Sequence, residues 1–239
     1  MSKKNNRKNE ELEVIGSEMN FAGKEAYNLL RTNLLFSVRQ EDRNARVVGI
    51  TSANHGEGKS LTALNLGYSM ATNGLKVLLI ECDLRLPSIG EKLGIRGKTS
   101  GLSNLLAGVS VDESVFHKNV LTDGLTVLLA GSIPPNPSEL LGSKAMTTVI
   151  DRMSKYYDYL LLDLPPVGAV SDALIVSKMT DTMVVVVRQD VTTYAELANT
   201  IRQLKYVNTN IAGIVLNGTS KKRSSYHKYG YGYYKKEKK

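Results

Sequence analysis

The stretch from Val47 to Met70 constrains the fold more than any other part of this sequence. It begins with a short apolar, β-branched run, continues through a turn of small and polar residues, and ends in a segment whose apolar residues recur at helical spacing. Strand, glycine-rich turn and helix start, in this order, are the context of a phosphate-binding loop. The letters ANHGEGKS match the pattern G-x-x-x-x-G-K-[ST], except that Ala53 stands in place of the first glycine. The stretch therefore predicts a nucleoside triphosphate site, the alternative being an ordinary glycine-rich turn.

Each part of this loop has a chemical role in holding a phosphate group. Gly56 and Gly58 allow successive backbone N–H groups to converge on an anion, and the following helix adds the positive end of its dipole. Lys59 is placed to reach the β- and γ-phosphates, and the Ser60 hydroxyl to join the coordination of Mg²⁺. ATP with Mg²⁺ is therefore the expected ligand, and its predicted contacts in the loop are Ala53, Asn54, Gly56, Glu57, Gly58, Lys59, Ser60 and Leu61.

Acidic residues follow two other apolar runs of strand character. Glu81 and Asp83 come after residues 76–80, and Asp163 comes after residues 159–162. Side-chain alternation along a strand predicts that Glu81 and Asp83 lie on one side. A carboxylate that ends such a strand is suited to hold Mg²⁺ or its waters. The predicted metal-binding residues are Ser60, Asp83 and Asp163.

Apolar strands alternate with helical segments along most of the chain. This pattern is typical of an α/β fold with a mainly parallel central sheet and helices on both faces. In such folds the ligand lies at the carboxyl ends of the strands. The phosphate loop, the pair Glu81 and Asp83, and Asp163 all fall at these ends, so three strand ends indicate one site.

Charge is unevenly distributed along the 239 residues. The net charge is +8, but residues 220–239 contain eight Lys and Arg against one Glu, which leaves +1 for the rest. We therefore predict a flexible arm over 1–20, one P-loop domain over 21–219, and a disordered Tyr- and Lys-rich tail over 220–239. The sequence has one cysteine, no apolar run of about 20 residues and no signal peptide, so a cytoplasmic protein without disulfides is expected.

Several motifs together resemble the bacterial tyrosine kinases of capsule and exopolysaccharide synthesis, which are P-loop NTPases of the deviant-Walker, Min/Par-like type. ANHGEGKS resembles the Walker A motif of this family, LLIECDLR its second acidic motif, and LLLDLPP its Walker B motif. SGLSNLLAG and AGSIPPNPSELLGS resemble two further family stretches, and the likeness covers nearly the whole chain. The resemblance implies transfer of the γ-phosphoryl group of ATP to tyrosine, and a regulatory role in polysaccharide synthesis and export.

The resemblance also implies roles for individual residues. The catalytic residues that it implies are Lys59, Glu81, Asp83, Arg85 and Asp163. Asn217 matches a position that contacts adenine, and Arg188 is a second candidate for that contact. The autophosphorylation sites that it implies are Tyr226, Tyr229, Tyr231, Tyr233 and Tyr234.

Two positions depart from the family pattern. Glu81 replaces its first Asp, which leaves open whether Glu81 or Asp83 orients or deprotonates the acceptor hydroxyl. Glu81→Asp restores the family residue and is expected to retain or raise activity. Asn28 replaces the middle Arg of the family's Glu-x-x-Arg-x-x-Arg motif and lacks the charged fork of Arg. A ring of subunits is therefore expected to be weak or to use other contacts.

A chain of this length resembles the split form of the family, in which a separate membrane polysaccharide co-polymerase activates the kinase. The partners that the resemblance implies are this activator, a cognate tyrosine phosphatase and further copies of the chain. It also implies recruitment to the inner face of the plasma membrane by a partner.

Two other functions are compatible with parts of the sequence. A Min/Par-type ATPase switch shares the fold but carries an additional lysine early in the loop, where this chain has Asn54. The tyrosines and lysines of the tail suit a nucleic-acid binder, but the near-neutral body and the lack of a recognition module argue against it. No nucleic-acid partner is therefore expected.

Overall fold

The computed structural model describes residues 15–37, 45–95, 100–109 and 112–219. The strands are β1 (Arg46–Ser52), β2 (Val77–Glu81), β3 (Phe116–His117), β4 (Leu125–Leu128), β5 (Tyr159–Asp163), β6 (Thr182–Arg188) and β7 (Ile211–Asn217). The helices are α1 (Phe21–Ser37), α2 (Lys59–Ala71), α3 (Ile89–Lys92), α4 (Leu102–Leu106), α5 (Pro137–Leu141), α6 (Lys144–Met153), α7 (Asp172–Ser177) and α8 (Tyr194–Tyr206). The predicted α/β fold is confirmed.

The strands of the described segments form one sheet in the order β3-β4-β2-β5-β1-β6-β7. Neighbouring strands are parallel, apart from β3, which runs antiparallel to β4. β1 lies between β5 and β6, and β2 lies on the other side of β5, where Glu81 is in register with Asp163. The strand that leads into the phosphate loop and the two strands that end in acidic residues are therefore neighbours.

Helices cover both faces of the sheet, as the sequence predicts. Along β2, Leu78 and Ile80 pack into the core under α4 to α8, whereas Val77 and Leu79 pack into the core under α1 to α3. All five residues of β2 are buried. Since full burial of one Leu or Ile side chain stabilises a protein by roughly 1.5–3 kcal/mol, these unbroken apolar strands hold the site at their ends firmly in place.

The chain before α1 packs on the body of the protein. Gly16 begins a short 3₁₀ turn and donates its N–H to Asn65 Oδ1 of α2 at 2.9 Å, and Met19 is buried. Residues 15–20 are therefore part of the folded body, although the sequence predicts that they belong to the flexible arm over 1–20. Their contacts with α2 leave no local pattern in the sequence. The earlier residues and the tail over 220–239 lie outside the described residues, and the division into three segments stays a prediction.

The motif positions of α1 contact their own chain. Asn28 accepts a hydrogen bond from Arg31 Nη1 at 3.1 Å and donates one to Glu25 Oε1 at 3.0 Å. Arg31 Nη1 also donates to the backbone oxygen of Ser69 in α2 at 2.8 Å. The bond from Arg31 to Ser69 ties α1 to α2, and the subunit ring stays a prediction. Among the described residues, no helix combines the length and the apolar character required to cross a membrane.

Candidate active site

The phosphate loop joins β1 to α2 and has the backbone that its glycines were expected to provide. Gly56 and Gly58 have φ values of +76° and +92°, in the left-handed region that favours glycine. A Cβ at position 58 would lie 2.0 Å from Asn217 Nδ2, so any other residue would displace this amide and would also be strained at this φ. The loop ends at Lys59, the first residue of the 13-residue helix α2. Unpaired N–H groups at such a helix start suit an anion.

Lys59 lies between two acidic strand ends. Its Nζ is 3.1 Å from Asp83 Oδ2 and 3.6 Å from Asp163 Oδ1, and it donates a hydrogen bond to Ser60 Oγ at 3.2 Å. Burial acts to lower the pKa of this lysine, but the carboxylates of Asp163 and Asp83 together outweigh it and raise that pKa above its ordinary value. Lys59 is therefore a fixed positive charge at the end of the phosphate loop.

Asp163, the last residue of β5, is fully buried and incompletely paired. Among the described residues no donor forms a hydrogen bond of ordinary geometry with either carboxylate oxygen; Lys59 Nζ is 3.6 Å from Oδ1, and Ser60 and Lys59 act only to moderate the pKa of this group. Burial, reinforced by the negative charges of Glu81 and Asp83 and opposed by Lys59, raises the pKa of Asp163 to about 6. A buried carboxylate without donors is costly unless a ligand satisfies it, and a metal ion is the kind of ligand that does so.

The residues at this edge fit Mg²⁺ when a nucleotide supplies the remaining oxygens. Asp163, Asp83 and the Ser60 hydroxyl surround Lys59 Nζ. The described part of the chain contains no group of three or more His, Cys, Asp or Glu side chains that would hold a metal by itself. Mg²⁺ is commonly bound through one or two carboxylates and substrate phosphates, so this donor set suits a magnesium–nucleotide complex.

Asn217 and Arg188, the two residues predicted to contact adenine, are hydrogen-bonded to the phosphate loop. Asn217 Nδ2 donates to the backbone oxygen of Glu57 at 3.0 Å, and Arg188 Nη1 donates to that of Gly56 at 3.3 Å. The buried Glu57 side chain accepts the Asn54 N–H at 3.0 Å and the Thr192 hydroxyl at 2.5 Å. Hydrogen bonds thus connect the residues predicted to contact adenine with those predicted to contact phosphate.

Ala53 occupies the position of the missing first glycine without strain. It is buried, and its backbone oxygen accepts the N–H of Gly168 at 3.1 Å. A Cβ at Gly168 would lie 2.5 Å from that oxygen, so the small residue on the facing segment is the one that the close approach requires. Leu61, also predicted to contact the nucleotide, lies half-buried in the first turn of α2.

The known proteins that this chain is similar to include several tyrosine-protein kinases. The family model of the NUBPL iron-transfer P-loop NTPases (ParA) matches residues 43–237. Tyrosine-protein kinase YwqD of Bacillus subtilis is 38% identical over 207 residues, which cover 87% of this chain and 85% of YwqD. Tyrosine-protein kinase CpsD of Streptococcus pneumoniae serotype 4 is 34% identical over 222 residues, which cover 92% of this chain and 94% of CpsD.

The chain belongs to the bacterial tyrosine kinase family. The solved kinase domain of Escherichia coli tyrosine kinase ETK supports this, with 33% identity, a TM-score of 0.77, and coverage of 87% of this chain and 80% of that one. MinD of Pyrococcus furiosus is less similar, with 25% identity, a TM-score of 0.61 and coverage of 74% of both chains. The predicted family and fold are confirmed. The Min/Par alternative, which shares the fold, is less supported. The chain spans only 27% of the length of another relative, EpsB of Ralstonia solanacearum.

Of the residues that the kinase resemblance implies as catalytic, the structure brings Lys59, Asp83 and Asp163 together. Glu81 instead points its carboxylate at backbone N–H groups, and Arg85 forms a 2.8 Å ion pair with Asp172. β2 ends at Glu81, so strand alternation does not extend to Asp83 as the sequence argument assumed. The implied tyrosine acceptors lie outside the described residues.

Three residues with contacts to this site were missed by sequence reasoning. Thr192 bonds Glu57, Asp172 bonds Arg85, and Ser88 donates its hydroxyl to Ser60 Oγ at 3.2 Å. Thr192 and Asp172 stand at helix starts, where a capping role is the ordinary expectation. No local pattern distinguishes them from such caps, because their partners are 135 and 87 residues away.

Proposed function

We propose that this member of the kinase family transfers the γ-phosphoryl group of ATP to tyrosine hydroxyls, including those of its own tail. The observation that supports the proposal is the meeting of Lys59 with the carboxylates of Asp83 and the buried Asp163 at the end of the phosphate loop. Phosphoryl transfer asks a protein mainly for positioning and charge stabilisation, and this cluster supplies both.

Each residue then has a separate task. Lys59 holds the β- and γ-phosphates, while Ser60 and Asp163 hold Mg²⁺, which neutralises charge on the phosphate oxygens when bound. Asp83 orients the tyrosine hydroxyl and accepts its proton. The bond between the γ-phosphorus and the oxygen that bridges it to the β-phosphorus breaks, and a bond from the γ-phosphorus to the tyrosine oxygen forms. ADP then leaves.

The tail supplies acceptors with favourable charge. Its net charge of +7 draws it toward a site that contains ATP and buried carboxylates, and salt weakens that attraction. The composition of these 20 residues predicts a random coil, and a coil of that length spans roughly 25 Å, so we propose that the tail also serves as acceptor for a neighbouring subunit. Each phosphate adds a charge of about −1.5 to −2, so phosphorylation of five tyrosines turns the tail negative and releases it.

Lys59→Met tests the assignment of the phosphate loop. Loss of this cation is expected to raise the barrier by about 3–4 kcal/mol, so autophosphorylation falls by about 10²- to 10³-fold. The measurement is the rate of phosphotyrosine formation with Mg-ATP, and the exposed Lys178→Met serves as the matched control. Near-normal phosphorylation of Lys59→Met contradicts the assignment. Release of free phosphate without phosphotyrosine in the unchanged protein points to an ATPase switch instead.

Transfer between subunits is tested with two complementary chains. One chain carries Lys59→Met and an intact tail, and the other is active but has Phe at all five tail tyrosines. Phosphotyrosine is expected on the inactive chain after mixing with Mg-ATP. If it stays unmodified, transfer between subunits is wrong.

We further propose that a membrane polysaccharide co-polymerase activates the kinase at the inner face of the plasma membrane, and that a tyrosine phosphatase reverses its action. This rests on the similarity to capsule and exopolysaccharide kinases such as CpsD and EpsB. Phosphotyrosine mapping with and without fragments of a candidate membrane protein tests it. An activator is expected to raise the rate, and a rate unchanged by every fragment argues against activation.

A further inference from the structure

The carboxylate of Glu81 is fully engaged by backbone groups. Its Oε1 accepts the N–H groups of Ser88 and Ile89, each at 2.6 Å, and its Oε2 accepts that of Ala130 at 3.1 Å. Glu81 is 1% exposed, so these bonds form away from water, where a charged acceptor makes them strong. Such a carboxylate is occupied in holding the chain and is not free to take a proton from a substrate.

The segment that Glu81 holds carries a hydroxyl into the magnesium site. Ile89, the first residue of α3, is fully buried in the core beside α2. Ser88, directly before it, donates its hydroxyl to Ser60 Oγ at 3.2 Å. Ser60 in turn lies beside Lys59 Nζ. Two N–H groups fixed by one carboxylate therefore determine where the Ser88 hydroxyl stands.

We propose that Ser88 is a further residue of the magnesium–nucleotide site and that Glu81 is a positioning residue that acts through it. In the nucleotide-free protein the one proton of the Ser88 hydroxyl is donated to Ser60 Oγ. With Mg²⁺ bound, a lone pair of Ser60 would go to the metal and the Ser60 O–H would donate to Ser88 Oγ, so the Ser88 proton would be available to a metal-bound water or a phosphate oxygen. This proposal rests on the proposed function only in requiring that the site binds a nucleotide with Mg²⁺. It does not depend on tyrosine as the acceptor.

The length of the Glu81 side chain leads to a distinct prediction for the substitution Glu81→Asp. An Asp at this position would withdraw the carboxylate by about 1.5 Å, one carbon–carbon bond, and would take it out of hydrogen-bonding range of Ser88 and Ile89. The family motif predicts that Glu81→Asp retains or raises activity, whereas the contacts of Glu81 predict a loss. The same substitution therefore separates the two expectations.

The experiment measures binding of a fluorescent ADP analogue to the full chain, with and without Mg²⁺. Ser88→Ala and Glu81→Asp are each expected to weaken binding in Mg²⁺ about 3- to 10-fold and to change binding without Mg²⁺ by less than about 2-fold. The double variant is expected to bind no more weakly than the weaker single variant, because one residue acts through the other. Ser171→Ala, at an exposed serine that makes no capping bond, is the control.

The outcomes separate this proposal from the kinase assignment. Unchanged Mg-ADP affinity in Ser88→Ala, a variant that leaves the backbone bonds of Glu81 intact, overturns the role of Ser88. Additive losses in the double variant overturn the coupling between the two residues. If the unchanged protein binds Mg-ADP as expected but forms no phosphotyrosine, the kinase assignment fails and the binding results for Ser88 still decide this proposal.

Discussion

The hydroxyl of Thr192 donates a 2.5 Å hydrogen bond to Glu57 Oε1, joining the segment after β6 to a phosphate loop 135 residues earlier in the chain. Glu57 is fully buried, and its other oxygen accepts the N–H of Asn54. Thr192 also accepts the N–H of Arg188 at 2.9 Å. The conformation of the loop thus depends on a residue that belongs to none of the nucleotide-binding motifs.

Thr192→Val is expected to destabilise the protein by about 1–3 kcal/mol and to weaken ADP binding, because it leaves one oxygen of the buried Glu57 without its donor. Urea unfolding and ADP titration measure the two effects. Thr192→Ser keeps the hydroxyl and is the matched control. If Val and Ser at this position behave alike, the bond does not support the loop.

Asp163 predicts a pH dependence of stability in the nucleotide-free protein. Its folded pKa of about 6 lies above the ordinary value of 3.8, so the folded chain binds this proton more tightly than the unfolded chain. Ionised Asp163 therefore lowers the free energy of unfolding. This effect is absent below about pH 4 and fully present above about pH 6. Relative to Asp163→Asn, the free energy of unfolding of the unchanged protein is expected to fall by up to about 3 kcal/mol between pH 4 and 7.

Urea unfolding at intervals between pH 4 and 7.5 measures this difference. Asp123→Asn, at an exposed carboxylate, is the control. Parallel pH profiles for the unchanged protein and Asp163→Asn refute the raised pKa.

The ion pair between Arg85 and Asp172 predicts that Arg85 stabilises the fold, whereas the family motif implies a catalytic role for Arg85. Arg85 contacts both oxygens of the buried Asp172 at 2.8 and 3.2 Å, and the Ser138 hydroxyl donates to Asp172 Oδ1 at 2.5 Å. Arg85→Ala is expected to cost about 1–3 kcal/mol of stability, because it leaves a buried carboxylate with a weaker set of partners. The Arg85 side chain is 40% exposed, so solvent screening favours the lower half of that range.

A double-mutant cycle with Asp172→Asn measures this pair by urea unfolding. The two substitutions together are expected to cost less than the sum of the single effects. A kinase rate that falls while stability and the cycle show no coupling supports the catalytic role for Arg85 instead.

The fold could be predicted because β1, β2, β4, β5 and β6 are buried on both faces and so appear as unbroken apolar runs. The main site could be predicted for a related reason: parallel strands bring Lys59, Asp83 and Asp163 to one edge whatever the details of packing. The partners of Glu81 could not, since they are backbone N–H groups of a loop and of a different strand end. A sequence shows that a carboxylate is present. Its role becomes clear only when the length of the side chain is compared with the distance to the backbone N–H groups that it contacts.

The order of strands in the sheet has a consequence for how the protein is made. β1 pairs with β5 and β6, whose partner residues lie 113 and 134 positions later, as between Arg46 and Tyr159 or Val48 and Thr182. The strand that leads into the phosphate loop is therefore synthesised early but gains its neighbours late, and contacts so distant in sequence slow folding. During translation, β1 remains an unpaired apolar segment until most of the chain has emerged from the ribosome. Chaperones therefore have their longest opportunity to bind at the segment from which the active site later forms.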